Sequence, residues 1–134
     1  MLEPSNIREE WDRIKPGLEE LKLAYPELFN WRVEDVYAAV LAEQAVLYIT
    51  EDGFAICTLE TDQYSSEKAL HIWIAYSPET QRGGILKKYL PSFIEVARHL
   101  GCTTVTTASN HPALAQVEEL TVLYTMYKVN VDGS

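Results

Sequence analysis

Cysteine is scarce here: Cys57 and Cys102 are the only two in 134 residues. They lack metal-ligand spacing and read as buried, reduced thiols of a cytoplasmic protein. Long apolar runs are missing too, since no stretch reaches the ~18 residues that a membrane-crossing helix needs. Met1 to Glu10 is acidic and polar, which is not the pattern of a secretory signal. Positive charge is in deficit, with 11 Lys and Arg against 20 Asp and Glu and a formal net charge of −9. That balance argues against general nucleic-acid binding, and Trp11, Trp31 and Trp73 lack the basic neighbours of a base-stacking platform. His99, Cys102 and His111 are too loosely spaced to read as a zinc site.

What is present is ordinary globular material. Hydrophobic residues make up 47% of the sequence, and a chain of this length can bury a core as one domain. The expected domain spans 1–131, with 132–134 a disordered tail. Charge is unevenly spread: residues 1–60 hold 5 basic and 13 acidic side chains, whereas residues 61–134 hold 6 and 7. An anionic ligand is met more easily by the second half, where Arg82, Lys87 and Lys88 cluster without an intervening acid.

Periodicity divides the chain into elements. Asn6 to Tyr25 has helical spacing through Ile7, Trp11, Ile14, Leu18, Leu21 and Tyr25, with a break or kink expected at Lys15 because Pro16 removes a backbone donor. Val33 to Gln44 reads as a second helix, with Val33, Val36, Tyr37, Val40 and Leu41 as its apolar stripe and Glu34 and Asp35 in its first turn. Ala45 to Thr50 and Phe54 to Glu60 read as strands joined by a turn at Glu51-Asp52-Gly53, and Asp62 to Lys68 as an exposed loop. Ala69 to Tyr76 alternates, which places Leu70, Ile72, Ile74 and Tyr76 on one face and His71 and Trp73 on the other. Gly84 to Leu100 reads as a helix stopped by Gly101, with Pro91 kinking or restarting it. A strand at Thr103 to Ala108, a turn at 109–112, a short helix at 113–119 and a long last strand at Leu120 to Val131 complete the order. Three consecutive strands imply an antiparallel meander, and the strand–helix–strand from Ala69 to Ala108 implies a parallel crossover. The fold expected is α/β: a mixed central sheet with helices on both faces and helices at the N-terminus.

The segment with most chemical content is Tyr76-Ser77-Pro78-Glu79-Thr80-Gln81-Arg82-Gly83-Gly84-Ile85-Leu86. It lies between a strand and a helix, where backbone N–H groups at a helix start can hold phosphate. Glycines let the main chain approach such a ligand closely. An ordinary strand-to-helix turn has the same look, and spacing alone leaves both readings open.

Pro78-Glu79, Gln81, Gly84 and Ile85 together resemble the pyrophosphate loop of the GCN5-related N-acetyltransferases, a Gln/Arg-x-x-Gly-x-Gly/Ala sequence that follows a strand. Asn110-His111-Pro112-Ala113 is similar to the same family's Asn-x-x-Ala, although it also suits a turn and helix cap. The resemblance covers roughly residues 33–131. It departs at Leu86, where the family has a small residue and where bulk is expected to crowd the pyrophosphate. It departs again at the front, where helix stands in place of the family's first strand.

The resemblance implies a bound acetyl-CoA or other acyl-CoA and direct acyl transfer to an amine whose identity the sequence leaves open. It implies Gln81, Arg82, Gly83, Gly84 and Ile85 around the pyrophosphate, Asn110 on the acyl-CoA arm, and main-chain contacts from Ile74 and Tyr76. Transfer needs a proton acceptor and an acid for the departing thiolate. The family's strand glutamate has no counterpart before Glu79, so His71 is the first candidate acceptor, histidine being the side chain that exchanges protons near neutrality. Glu60 on the neighbouring strand is the second. The family's acidic Tyr is missing at Gln116 to Glu118. Tyr124 is the hydroxyl candidate that remains, although it and Tyr127 read equally as core aromatics of the last strand. The alternative is a non-catalytic module that kept the fold, similar to short proteins of tailed bacteriophages and prophages acting in the virion or host cytoplasm. An oligomeric scaffold is a third reading.

Overall fold

A computed structural model describes residues 2–51, 53–78, 84–108, 120–123 and 126–131. The elements run β1 (Pro4–Ser5), α1 (Ile7–Ala24), α2 (Val33–Leu41), β2 (Val46–Ile49), β3 (Phe54–Thr61), β4 (Lys68–Tyr76), α3 (Gly84–His99) and β5 (Thr104–Thr107). They form one five-stranded sheet in the order β1-β2-β3-β4-β5. The first three pairings are antiparallel and β4–β5 is parallel. The mixed α/β sheet read from the sequence is therefore present. It gains a two-residue first strand, too short to leave a periodic signature.

Asn6 starts α1 by accepting a hydrogen bond on its side-chain oxygen from the Arg8 N–H at 2.9 Å, which satisfies one of the free donors of a helix start. Of the break or kink expected at Lys15, the break is absent: α1 runs on through Pro16. Ile14, Gly17 and Leu18 are buried on either side of that proline, and packing outweighs the one hydrogen bond that proline removes. α3 likewise continues through Pro91, with Leu90 and Phe93 buried beside it. α2 is shorter than read, and Leu41 at its end is 43% exposed rather than part of the stripe.

The helices divide between the two faces. α1 and α2 cover Leu47, Phe54, Ile56 and Ile74 with Ile7, Ile14, Leu18, Val33 and Val36. α3 covers Tyr48, Ala55, Cys57, Leu70 and Ile72 with Leu86, Phe93, Val96 and Ala97. Burial pushes the Cys57 thiol up to about 12, so it stays a neutral core group. Cys102 is also a free thiol and is partly buried.

Two strand readings need correction. β4 does not keep one face throughout: Leu70 and Ile72 belong to the α3 side, whereas Ile74 and Tyr76 pack on the α1/α2 side. The cause is a bulge. Ile56 pairs with Ile74 while Cys57 pairs with Ile72, leaving Trp73 as an extra residue, and one extra residue inverts every side chain beyond it. The last strand read at Leu120 to Val131 is not formed by the described residues 120–123 and 126–131, which carry no strand pairing. Tyr127, read as a core aromatic, is 88% exposed. Alternating apolar residues are necessary for a half-buried strand but do not create its ladder. The one ion pair of this segment among the described residues joins Lys128 to Glu27 at 3.1 Å. The turn at 109–112, the helix at 113–119 and the tail at 132–134 lie outside the described residues.

Candidate functional site

The bulge coincides with the end of parallel pairing. β5 pairs with β4 from Ala69↔Thr104 to Ile72↔Thr107 and stops. β4 continues through Trp73 to Tyr76, still paired with β3 as far as Phe54↔Tyr76. Among the described residues, the β5-side edge of this second half of β4 has no strand partner. A row of main-chain donors and acceptors is thus presented beside a gap in the sheet, the kind of edge on which an amide-containing ligand can bind as a further strand would. Thr107 marks the branching point, its hydroxyl donating to the Ile72 carbonyl at 3.1 Å.

At the far end of this open edge, Tyr76 is held by α1. Gly17 leaves room for it, because a Cβ there would stand 2.9 Å from the rings of both Phe54 and Tyr76. These rings stack at 5.4 Å. The Tyr76 hydroxyl donates to Glu20 Oε2 at 2.6 Å. That bond, with burial second, pushes the phenol up to about 12. The Tyr76 hydroxyl is thus tied to α1 and keeps its proton well past neutrality. Past Tyr76 the chain leads into α3, where Gly84 is the first helical residue and no acid stands in the first turn. Lys87 and Lys88 are exposed there. Leu86 corrects the expectation of crowding: its side chain is buried among Leu70, Ile72 and Phe93 under the sheet.

The near end is polar. His71 Nδ1 lies 2.8 Å from Thr106 Oγ1, and His71 pairs across β3 with Thr58. Glu60 pairs with Ala69, which makes it the diagonal neighbour of His71, about 7–8 Å away between Cα atoms. His71 precedes Trp73 by two residues, about 7 Å along the strand. Two buried polar atoms border this end without a partner among the described residues: Thr58 Oγ1 and Trp31 Nε1. The Trp31 ring meets Trp73 edge-on at 6.3 Å.

The structure thus gathers His71, Glu60, Ile74 and Tyr76 along one strand pair and brings Gly84 to the helix start beyond it. Gln81, Arg82, Gly83, Asn110 and Tyr124 lie outside the described residues. Thr106 and Thr58 border the site but went unread, and Trp73 was read only as sharing the face of His71. Thr106 is visible only once the β4–β5 register puts it opposite His71, and nothing in the sequence announces the bulge that turns Trp73.

The sequence matches no family model and no curated protein. Solved structures do match in shape over nearly the whole chain. A candidate acetyltransferase from Pyrococcus furiosus superposes with a TM-score of 0.70 at 17% identity, covering 98% of this chain and 100% of that one. Glucosamine-6-phosphate N-acetyltransferase from Arabidopsis thaliana gives 0.62 at 16% identity, with 98% of each chain covered. The fold is that of the GCN5-related N-acetyltransferases. A transcriptional regulator from Bacillus halodurans shares it as well, with a TM-score of 0.68 at 15% identity over 97% of this chain and 98% of that one. The acetyltransferase fold thus occurs under different functional names, and activity has to be argued from the site. No helix among the described residues is long and apolar enough to cross a membrane.

Proposed function

We propose that this chain binds an acyl-CoA along the open edge of β4 and transfers the acyl group to an amine. The observation that carries this reading is the half-strand Trp73 to Tyr76, whose β5-side edge has no strand partner among the described residues, with the start of α3 following it in the chain. Its length suits an amide-bearing arm, and the start of α3 with Lys87 and Lys88 suits a phosphate group at the arm's end. The inward packing of Leu86 turns its own side chain away from that helix start.

Acyl-CoA supplies an activated thioester carbonyl. The open main chain of β4 aligns the carbonyl's arm, and α1 fixes the strand end through Glu20 and Tyr76. As the new C–N bond forms and the C–S bond breaks, CoA would leave as its thiolate, and His71 Nε2 would accept the proton that the amine loses. Nε2 is free to do so in the tautomer where Nδ1–H donates to Thr106 Oγ1, and the 2.8 Å contact holds the ring in that orientation. Glu60 stands one diagonal step away, exposed, and can relay the proton to solvent.

A second reading is favoured by one observation. The Tyr76 hydroxyl, at the end of the open edge, is committed to Glu20, and is thereby taken from the role of acid for the departing thiolate. A module that binds acyl-CoA without turning it over fits that arrangement.

Calorimetric titration with acetyl-CoA, run on wild type and Gly84→Glu in parallel, tests the binding claim. Saturable heat at micromolar cofactor, abolished in the variant, supports it. Absence of heat up to millimolar cofactor would overturn it. Binding without thiol release in the presence of an amine panel selects the second reading.

A further inference from the structure

The two N-terminal helices form a cleft that acyl transfer does not use. Its lining is Arg8, Trp11 and Asp12 from α1 with Glu34 and Tyr37 from α2, around a volume of about 210 Å³. That is smaller than the roughly 300–1,000 Å³ of sites that enclose a drug-sized ligand. It suits a single head group.

The chemistry of the lining is specific. Each helix contributes one aromatic ring and one carboxylate. Trp11 and Tyr37 meet at 4.9 Å with an interplanar angle of 69°, and both pack against the buried cluster beneath them, so the rings are fixed by the core. Asp12 follows Trp11 directly, and Glu34 precedes Tyr37 by three residues, nearly one helical turn. Both carboxylates are exposed, and among the described residues neither forms an ion pair. Other acids nearby are committed: Glu10 to Arg13 at 3.7 Å and Asp35 to Arg32 at 3.1 Å. Arg8 is the one cation in the lining. The cleft therefore carries a formal excess of one negative charge, within residues 1–60, which hold 13 acidic and 5 basic side chains.

Two aromatic rings held at an angle, flanked by free carboxylates, match the recognition chemistry of an alkylammonium. The ring faces attract its positive charge, the apolar surface takes its methyl or methylene groups, and the carboxylates neutralise it. An anion would meet two like charges, and a neutral apolar group would gain no attraction from either carboxylate. We infer that the α1–α2 cleft is a binding site for a small organic ammonium ion. This site is independent of the acyl-CoA reading and needs no cofactor.

The test uses choline chloride as probe on the full chain, with sodium chloride at equal ionic strength as control. The readout is the indole N–H resonance of Trp11, identified by its loss in Trp11→Phe. A saturable shift with choline, absent with sodium chloride, is expected at millimolar concentrations. Asp12→Asn combined with Glu34→Gln should raise the dissociation constant about tenfold, Tyr37→Leu by a similar factor, and Arg8→Gln should lower it about threefold. The carboxylate changes are isosteric and on the surface, so they keep the fold and decide the matter even where Tyr37→Leu loosens the helix pair. An equal shift with sodium chloride, or an unchanged affinity in the Asp12/Glu34 double variant, would overturn the inference.

Discussion

The two halves of β4 are made from the same kind of residue and serve different ends. From Lys68 to Ile72 the strand is paired on both edges, to β3 and to β5, and its apolar side chains pack under α3. From Trp73 to Tyr76 its one strand partner among the described residues is β3, and Trp73, Ile74 and Tyr76 pack under α1 and α2. A single inserted residue separates a structural segment from one whose main chain is available to a ligand. Bulges bend and twist a strand as they shift its register, so one irregularity can both open the sheet and hand the open part to a different helix layer. The polar residues collect at the boundary, with His71 and Thr106 on the last paired positions but one.

The largest effect expected at this boundary is on turnover. His71→Ala should lower kcat by about 10²–10⁴ if the ring takes the proton, while acetyl-CoA affinity by calorimetry stays within about twofold. Thr106→Val should lower kcat less, about tenfold, because it frees the ring without removing it. Loss of cofactor affinity in His71→Ala would place the histidine in binding rather than proton transfer.

Inversion of faces is tested by stability. Ile72→Ala and Ile74→Ala should each cost about 2–5 kcal/mol in urea denaturation, both side chains being almost fully buried. Their couplings should differ. Ile74→Ala is expected to be non-additive with Leu18→Ala in α1 by about 0.5–3 kcal/mol and additive with Phe93→Ala in α3, and Ile72→Ala the reverse. Unbroken alternation along the strand would give both isoleucines the same partner helix.

This contrast also explains how much the sequence disclosed. Helices, the antiparallel meander and the β4–α3–β5 crossover were legible because each carries a period and an end signal, such as Asn6 before α1 and Gly101 after α3. The bulge was not legible, since Leu70, Ile72, Ile74 and Tyr76 look like one alternating row whichever face each takes. The prolines left two outcomes open for a related reason: Pro16 and Pro91 state a local cost, and whether the helix continues is decided by burial of their neighbours in the whole domain. His71 and the stretch opening α3 could be singled out by residue type. Thr58, Thr106 and Trp31 could not, because their relevance arises only when the register brings them to the gap. The apolar residues after Leu120 gave a strand-like pattern, but pairing is a property of two segments and one segment cannot show it.

Gly53 tests how tightly the open half is built. A Cβ there would lie 1.9 Å from the Tyr76 carbonyl oxygen, a backbone atom that cannot rotate away, in the turn where the Thr50 N–H donates to the Gly53 carbonyl at 2.9 Å. Gly53→Ala should cost about 1–3 kcal/mol and should weaken acetyl-CoA binding as well, since it displaces the end of the open edge. Gly101→Ala, at a positive φ of 78° with open space around it, should cost only about 1 kcal/mol and leave cofactor affinity unchanged. Equal effects of the two on binding would mean that the strand end is not part of the site.

The smallest effect belongs to the hydrogen bond that ties this strand end to α1. Tyr76→Phe removes a bond of 2.6 Å to an exposed carboxylate, and solvent competition limits the loss to about 0.5–1 kcal/mol near neutrality. Its pH dependence is more telling. The folded phenol holds its proton to about 12, against an ordinary value of 10.0, chiefly because it donates to Glu20. The unfolded chain gives up that proton first, so above pH 10.0 it binds fewer protons than the native state and stability declines with rising pH. The contribution of Tyr76 is complete below 10.0 and is lost as pH rises through about 12. Tyr48, raised to about 12 mainly by burial, declines over the same range in both proteins. Denaturation curves across this alkaline window should therefore converge, with Tyr76→Phe falling less steeply than wild type. Parallel curves would mean that the bond to Glu20 does not hold α1 on the strand, and the open edge would then owe its position to Gly17 and the Phe54 stack alone.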